Sequence, residues 1–497
     1  MRLLTLFSLL VLALGNDLFE LGSRGSGGGS RARAEEVRPR NIVFILGDDV
    51  GWGDLGCYGA KKIRTPNLDS LAKQGMRFTD VHSVGPLCSA TRYGLFSGEY
   101  NFRSKFNPVV LSPIQPLTLD VTRPTLASII QAGGYETGLI GKWHLGLGSE
   151  PTGPDYNGEL KPGPLEIGFN SFYGIATTND RTPCVLIENH RVIGLDPADP
   201  ISVSMKAQEG YENLIGGIYR HTWQKGGKAA LWKDEDLADQ FVGRAVSFID
   251  AHKAKPFFLF FSAHDIHHPS IPHSRFQKTS EAGPRGDMMH EMDFCVGEIL
   301  KALEKNGLTD DTLVIFTSDN GGVIDNGFRK PGTKWDQEYP ATEEESHPFN
   351  GPWRGRKGSH YEGGHRVPFI ASWPKRIAKE KECDAMFSLV DMPATFASLL
   401  HQKLAPDAAV DSFNAVGAML DGRSDPPVRD HLIVSGPGLS IRAGGWKLIS
   451  TARGASELYH YAEDPYEKTN LADKEPEKLK MMQALLAAKK SAKRTAP

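Results

Sequence analysis

The chain has 497 residues, of which 40% are apolar and 24% are charged, a composition typical of a globular protein. Its 57 basic and 60 acidic residues give a formal net charge of -3. These values exclude a collagen, a coiled coil and a disordered chain, and they lack the positive excess of a nucleic-acid-binding protein. We therefore expect no nucleic-acid partner.

Residues 1–34 are predicted to be a signal peptide and a flexible linker. An apolar run at 3–14 follows the basic Arg2 and ends in small residues, which is the pattern of a secretory signal. The run is too short to cross a bilayer, and no other stretch of the sequence is a candidate span. Residues 22–30 (GSRGSGGGS) are typical of a linker. We expect an exported protein, periplasmic, extracellular or luminal, without a transmembrane anchor.

The rest of the chain is expected to form a large domain over residues 35–404 and a small one over residues 405–497, because it is long for a single core. Four apolar runs predict strands buried on both faces, namely 42–46 (IVFIL), 137–140 (TGLI), 256–262 (PFFLFFS) and 313–317 (LVIFT). Helical patterns alternate with these strands at 67–74, 125–133, 236–252 and 287–306. This alternation predicts an α/β domain with a mostly parallel sheet covered by helices on both faces.

Polar side chains follow each of the four strands. In chain order they are Asp48 and Asp49, Lys142 and His144, His267, and Asp319 and Asn320. In open α/β sheets, ligands bind outside the carboxyl ends of the strands. We therefore expect these residues to meet at one edge of the sheet and to form a functional site.

The aspartates and the asparagine in this set are oxygen donors. Asp48, Asp49, Asp319 and Asn320 together offer the ligand type that Ca²⁺ and Mg²⁺ prefer, and the absence of thiolate argues against structural zinc. Each pair by itself is equally typical of a helix cap or a turn. Their shared position at strand ends favours a divalent cation site.

A second set of residues is cationic or carries an imidazole. It consists of Arg92, Lys142, His144, His267 and Lys357, the last in a glycine-rich basic loop (RGRKG). Such groups beside a cation can hold an oxyanion while negative charge develops on a leaving oxygen. These residues predict hydrolysis of an anionic ester, and they do not distinguish sulfate from phosphate.

The five cysteines are an odd number for an exported chain, so at least one is unpaired. For Cys88 a buried, inert thiol is one explanation. The sequence around Cys88 offers a second explanation. Residues 86–98 (PLCSATRYGLFSG) resemble the signature of type I sulfatases, which are formylglycine-dependent, arylsulfatase-like members of the alkaline phosphatase superfamily. The resemblance implies that Cys88 is oxidised to formylglycine by a formylglycine-generating enzyme.

The resemblance to the sulfatase family extends over most of the chain. Further blocks that match it in order are 41–59, 141–146, 316–322, 355–364 and 458–471. It implies that residues 35–404 form the catalytic domain. It also implies that the strand candidates at 431–434 and 446–450, with the helical pattern at 476–493, form a small C-terminal α+β domain with an antiparallel sheet.

The resemblance also implies a role for each site residue. Asp48, Asp49, Asp319 and Asn320, with an oxygen of converted Cys88, are the implied ligands of Ca²⁺, and Mg²⁺ is the less expected ion. Arg92 would stabilise the formylglycine hydrate, Lys142 and Lys357 would hold the sulfate, His144 would pair with the hydrate, and His267 would bind sulfate near the leaving alcohol. The commonest signature has proline where this chain has Ala90, and this departure bears on the efficiency of conversion.

The implied activity is hydrolysis of a sulfate monoester, on a carbohydrate or an aryl group. Two alternatives stay open at this point: a formylglycine-dependent phosphodiester or phosphonate monoester hydrolase, and a non-catalytic binder of sulfated glycans if Cys88 is not converted. The stretches 149–233 and 323–352 are expected to be long loops that set specificity. Their aromatic residues could stack on sugars or serve as packing anchors: Trp223, Trp232, Trp335 and Tyr339, with Trp353 just beyond.

Overall fold

A computed structural model describes residues 38–107, 109–323, 347–451 and 454–497. The strands of these segments are β1 (Asn41–Gly47), β2 (Met76–Phe78), β3 (Val81–His82), β4 (Glu136–Lys142), β5 (Ser171–Ile175), β6 (Ile187–Glu188), β7 (Arg191–Val192), β8 (Ser202–Ser204), β9 (Glu212–Ile215), β10 (Ile218–Lys225), β11 (Phe257–Ser262), β12 (Thr312–Ser318), β13 (Phe369–Ser372), β14 (Lys381–Cys383), β15 (Phe387–Ser388), β16 (His431–Gly436), β17 (Gly438–Ala443), β18 (Trp446–Thr451) and β19 (Ser456–Tyr459). The α-helices are α1 (Pro66–Gln74), α2 (Cys88–Ser97), α3 (Leu126–Ala132), α4 (Leu237–His252), α5 (Gly283–Lys305), α6 (Glu362–His365), α7 (Met392–Leu399), α8 (Val416–Asp421) and α9 (Pro476–Ser491).

Ten strands form the central sheet, in the order β14-β2-β13-β12-β1-β11-β4-β5-β6-β7. The five middle strands, from β12 to β5, are all parallel. Antiparallel pairs lie toward the two sides, where β13 joins β12 and β2, and where β6 joins β5 and β7. The sequence prediction of a mostly parallel α/β sheet is confirmed, and so are its four apolar strands.

The strand β1 shows why its sequence is apolar at every position. Phe44 and Leu46 pack into a core on one face of the sheet, which includes residues of α2, α3 and α7. Val43 and Ile45 pack into a second core on the other face, with residues of α1, α4 and α5. Because successive side chains of a strand point to opposite faces, a strand covered by helices on both faces has no polar side.

The parallel register places the carboxyl ends of the middle strands at one level. Gly47 of β1 pairs with Ser318 of β12, and Leu46 pairs with Ser262, the last residue of β11. Ser262 in turn pairs with Gly141 near the end of β4. The residues that follow these four strands are therefore brought to one edge of the sheet, as the sequence predicts.

The stretch 149–233 is not a set of loops throughout, and this part of the sequence prediction is wrong. It contains β5, which pairs with β4 in the central sheet, and a separate three-stranded antiparallel sheet in the order β8-β10-β9. β5 is only five residues long and includes Gly174, so it lacks the sustained apolar run that marks the other strands. The predicted leader at 1–34 and most of the predicted loop at 323–352 lie outside the described residues.

The C-terminal part contains the predicted small antiparallel sheet, with four strands in the order β16-β17-β18-β19. Helix α9 packs on β17 and β18. Residues 39–497 form one compact unit, and the boundary at 404/405 stays a prediction. Among the helices of the described segments, none has the length and apolar character needed to cross a membrane.

Candidate active site

Cys88 is the first residue of α2 and is 1% exposed. Its Sγ lies 3.9 Å from Asp48 Oδ1. Burial raises the pKa of the thiol to about 12, although Lys142 and Lys357 act in the opposite direction. Ala90, two residues later, is buried in the first turn of the helix, where the backbone N–H needs no intrahelical acceptor and a proline could also be accommodated.

Asp48 follows β1 directly, and its carboxylate is completely buried. Lys142, the last residue of β4, places its Nζ 2.5 Å from Asp48 Oδ2. Burial raises the pKa of Asp48, and Lys142 opposes that rise. The ammonium group therefore supplies the positive charge that a carboxylate needs in this interior position.

Asp49 contacts two other predicted site residues. Lys357 Nζ lies 2.7 Å from Asp49 Oδ1, and Asn320 Nδ2 donates to the same oxygen over 2.8 Å. Burial opposes ionisation of Asp49, but Lys357, His268 and Lys142 together outweigh it, so the pKa of Asp49 lies below its ordinary value. Asp49 has a φ of 66°, a left-handed conformation that aspartate tolerates better than most residues.

Asp319 is joined to Arg92 of α2. Arg92 Nε and Nη2 lie 3.0 and 2.9 Å from Asp319 Oδ2. The remaining arm of the guanidinium donates to Lys142 O over 3.1 Å and to Ser262 Oγ over 2.6 Å. Arg92 thus connects α2 with the ends of β4, β11 and β12, and Ser262 is a partner that the sequence did not single out.

The two predicted histidines are both buried, and burial holds the pKa of each well below its ordinary value. His144 Nε2 lies 3.1 Å from Leu111 O, and its Nδ1 has no hydrogen-bond partner in the described part of the chain. Because a carbonyl only accepts, Nε2 carries the proton and Nδ1 is a free base. His267 Nδ1 likewise lies 2.6 Å from His268 O, and its Nε2 is 3.9 Å from Asp49 Oδ2.

These residues form a group that can hold a metal ion. One ligand atom each from Asp48, Asp49, Cys88 and His267 lies within 4.8 Å of the others. Asn320 Oδ1 is buried and has no hydrogen-bond partner among the described residues, so it is a further oxygen donor. The buried carboxylates and the orphaned amide oxygen fit a hard divalent cation such as Ca²⁺ or Mg²⁺.

The three carboxylates of the site are matched by three side-chain cations, each in an ion pair. The pairs are Asp48 with Lys142, Asp49 with Lys357, and Asp319 with Arg92. The group is therefore close to neutral by itself. A divalent cation would give it a net positive charge, which suits an anionic substrate.

Sequence reasoning missed a cluster next to His267. Asp180 Oδ2 lies 3.4 Å from His268 Nε2 and 3.4 Å from His221 Nε2. Asp180 lies in the stretch 149–233, where no sequence pattern marked it. Two of the aromatic candidates are packing anchors, because Trp232 is buried and Trp353 packs on Trp52 and Tyr466.

Comparison with known proteins assigns the class. The family model described as Sulfatase matches residues 40–402. An N-acetylgalactosamine-6-O-sulfatase of Bacteroides thetaiotaomicron is 39% identical over 488 residues, covering 91% of this chain and 93% of the relative. Human arylsulfatase A is 34% identical over 396 residues, covering 78% of this chain and 69% of its own. A solved structure from work on glycosaminoglycan metabolism in the same Bacteroides species is 38% identical with a TM-score of 0.84, covering 92% of this chain and 100% of that one.

The chain belongs to the sulfatase family. It is a sulfuric ester hydrolase, and the activity predicted from the sequence is confirmed.

Proposed function

We propose that Cys88 is converted to formylglycine and that the hydrate of this aldehyde is the nucleophile. The observation that carries the proposal is the position of Cys88 Sγ, which lies 3.9 Å from Asp48 Oδ1 and in one group of potential ligand atoms with Asp49. A structural thiol needs no such neighbours, whereas a hydroxyl in this position would face both a metal ion and an incoming ester.

A cation, which we propose to be Ca²⁺, would be held by Asp48, Asp49, Asp319, Asn320 and an oxygen of residue 88. When bound, this ion would supply Lewis-acid stabilisation of the negative charge on the ester and would favour ionisation of the hydrate. Lys142 and Lys357 hold the other sulfate oxygens as point charges. Both ammonium groups already lie on carboxylates of the site, so they are oriented before substrate binds.

In the first half of the reaction, one hydroxyl oxygen of the hydrate attacks sulfur. The sulfur–oxygen bond to the alcohol breaks, the proton of the attacking hydroxyl is transferred to the departing oxygen, and a sulfated hemiacetal remains on residue 88. Arg92 keeps its position through Asp319 and Ser262 and orients the start of α2. His267 lies at the side of the leaving alcohol, where its Nε2, which carries no proton when Nδ1 donates to His268 O, can pass the proton of the attacking hydroxyl to the departing oxygen.

In the second half, the remaining hydroxyl of the hemiacetal loses its proton and the carbon–oxygen bond to sulfate breaks. Sulfate leaves, the aldehyde is restored, and water adds to it to form the hydrate again. His144 is the base for this step, because its Nδ1 has no proton and no partner among the described residues. A serine at position 88 would lack the second hydroxyl and could not expel the sulfate.

The substrate is a sulfated carbohydrate, and we propose the 6-O-sulfate of an N-acetylgalactosamine unit. The support is the relative named for that sugar and position, whose similarity extends over nearly the whole chain. An aryl sulfate would serve as an artificial substrate. A formylglycine-generating enzyme is the maturation partner, and residues 1–34 direct export.

The substrate proposal is tested with converted protein and four compounds. These are galactosamine derivatives with sulfate at position 6 or position 4, an aryl sulfate, and the matching aryl phosphodiester. We expect the highest kcat/KM with the 6-O-sulfate and turnover of the aryl sulfate well above that of the phosphodiester. Equal rates with the 6- and 4-sulfated sugars would contradict the assigned position, and a preference for the phosphodiester would contradict the reaction class.

A further inference from the structure

A fourth ion pair, also buried, lies next to the three pairs of the site, and the mechanism above does not use it. Arg285 Nη1 and Nη2 lie 2.5 and 2.6 Å from the two carboxylate oxygens of Asp54. Arg285 is 4% exposed and Asp54 is completely buried. A buried pair of this kind is costly to form unless its remaining hydrogen-bonding capacity is used.

The remaining donors of Arg285 reach the two backbone segments that hold the proposed calcium ligands. Nη2 donates to Asp49 O over 3.1 Å, and Nε donates to Val323 O over 2.9 Å. The first segment follows β1 and contains Asp48 and Asp49. The second follows β12 and contains Asp319 and Asn320. One side chain therefore ties together the two loops whose separation sets the geometry of the site.

Asp54 holds Arg285 in place and also binds the backbone of the loop that follows Asp49. Its Oδ2 also accepts from Gly51 N over 2.7 Å, which closes the loop after Asp49, and His347 Nε2 lies 3.1 Å from its Oδ1. The chain also leaves space for the guanidinium. A Cβ added to Gly322 would lie 2.7 Å from Arg285 Nη2, so a larger residue there would displace the guanidinium group from its present position.

We propose that Arg285 and Asp54 are positioning residues for the calcium site, and that they act by holding the Asp48–Asp49 loop and the Asp319–Asn320 loop at the spacing that a single cation requires. This inference rests on the calcium site proposed above. Among the described residues, the hydrogen-bond partners of Arg285 include none of those predicted to bind sulfate, so we expect its effect to be on metal affinity. Arginine is required, because its planar guanidinium group donates hydrogen bonds to four acceptors at once and a lysine ammonium group cannot do so.

The test compares three variants with a matched pair elsewhere in the protein. Arg285→Met removes the guanidinium group, Arg285→Lys keeps the positive charge, and Asp54→Asn weakens the ion pair between the two residues. The control is Arg275→Met, which breaks a bidentate pair with Asp239 that is partly exposed and includes none of the site residues. Calcium is removed from each folded protein with a chelator, and the affinity of the protein for added calcium is then measured by calorimetry. The fraction of chains with the aldehyde at residue 88 is recorded for each preparation.

We expect Arg285→Met to weaken calcium binding about tenfold or more, a size typical of changes to groups that orient metal ligands. Arg285→Lys and Asp54→Asn should lie between it and the wild type. At saturating calcium, KM should match that of the wild type and most of kcat should return. The Arg275→Met control should bind calcium as the wild type does.

A folded Arg285→Met protein with calcium affinity within about twofold of the wild type would overturn the proposal, because the loops would then hold their spacing unaided. If Arg285→Met does not fold, unchanged calcium affinity in both Arg285→Lys and Asp54→Asn overturns it equally. A wild type that binds no calcium would instead refute the calcium site itself, so the two failures are distinguishable.

Discussion

Lys142 Nζ lies 2.5 Å from Asp48 Oδ2, and neither side chain has any exposed surface. The pair joins the ends of β4 and β1 at the point where Cys88 begins α2. Each of these buried charges stabilises the other, because either charge without its partner would strongly destabilise the fold. The same lysine is also one of the two groups proposed to hold the sulfate.

Replacing Lys142 with methionine separates its structural role from its catalytic one. We expect Lys142→Met to lower the free energy of unfolding by about 3 kcal/mol in calcium-free protein, since Asp48 loses its partner. Calcium affinity should rise, because a competing positive charge is gone, while kcat should fall about 100-fold or more. Denaturation with and without calcium, calorimetry and steady-state kinetics measure the three effects.

The matched control for this variant is Lys375→Met, which breaks an exposed pair with Asp311 and should cost less than about 1 kcal/mol. Weaker calcium binding in Lys142→Met would contradict the assignment of Asp48 as a ligand that Lys142 neutralises.

The second hydroxyl of the hydrate is tested by Cys88→Ser. Serine can accept the sulfuryl group and cannot expel it, so we expect a single addition of one sulfuryl group per chain, on the peptide that contains residue 88, without turnover. Intact and peptide mass spectrometry after incubation with substrate measure this. Cys57→Ser, at a half-buried cysteine outside the site, should turn over normally. Repeated turnover by the Cys88→Ser protein would refute the elimination step.

Stability should fall in acid because several histidines are buried in the neutral form. Burial lowers the pKa of His264 from 6.5 to about 4, and it lowers the pKa of His360 to about 4 as well. Between these values the unfolded chain binds a proton that the folded chain does not. Each such group therefore removes stability as the pH falls from 6.5 toward 4, by about 3 kcal/mol over the full range.

The measurement is urea denaturation at several pH values for the wild type and for His264→Gln. The variant should show a shallower fall in the free energy of unfolding between pH 6.5 and pH 4, because one titrating group is missing. Identical slopes for the two proteins would show that His264 takes up no proton on unfolding.

The C-terminal sheet is joined to the loop that carries Lys357 through a buried lysine. Lys447 Nζ of β18 lies 2.8 Å from Glu362 Oε1 and 2.6 Å from Glu467 Oε1. Lys447→Met leaves both carboxylates without this partner, and we expect a loss of about 3 kcal/mol or more in the free energy of unfolding. An exposed lysine such as Lys301, changed to methionine, is the control. A Lys447→Met protein as stable as the control would mean that this network does not hold the two regions together.

The central sheet and the group of site residues could be predicted from sequence for one physical reason. Strands buried on both faces are apolar throughout, so the polar residues that follow them stand out, and parallel pairing brings those residues to one edge. Asp48, Lys142 and Asp319 were found in this way. Cys88, which begins a helix and follows no strand, was singled out only through its resemblance to the sulfatase signature.

Other features have no local sequence signal. Arg285 lies 231 residues from Asp54, and a single arginine in the first turn of a helix predicts no partner at that distance. Asp180 lies in the stretch 149–233, which the sequence predicts to be loops although it contains short strands. Contacts of this kind depend on how distant segments pack, and that is visible only in the folded chain.

The most direct test of the account is mass spectrometry of the peptide that contains residue 88, from exported protein produced together with a formylglycine-generating enzyme. We expect the peptide to carry an aldehyde or its hydrate at residue 88. In the aldehyde form, one oxygen replaces the sulfur and two hydrogens of the cysteine form. We also expect sulfatase activity to rise in proportion to the fraction of chains that carry the aldehyde. An active preparation that contains only unmodified Cys88 would contradict the proposed nucleophile.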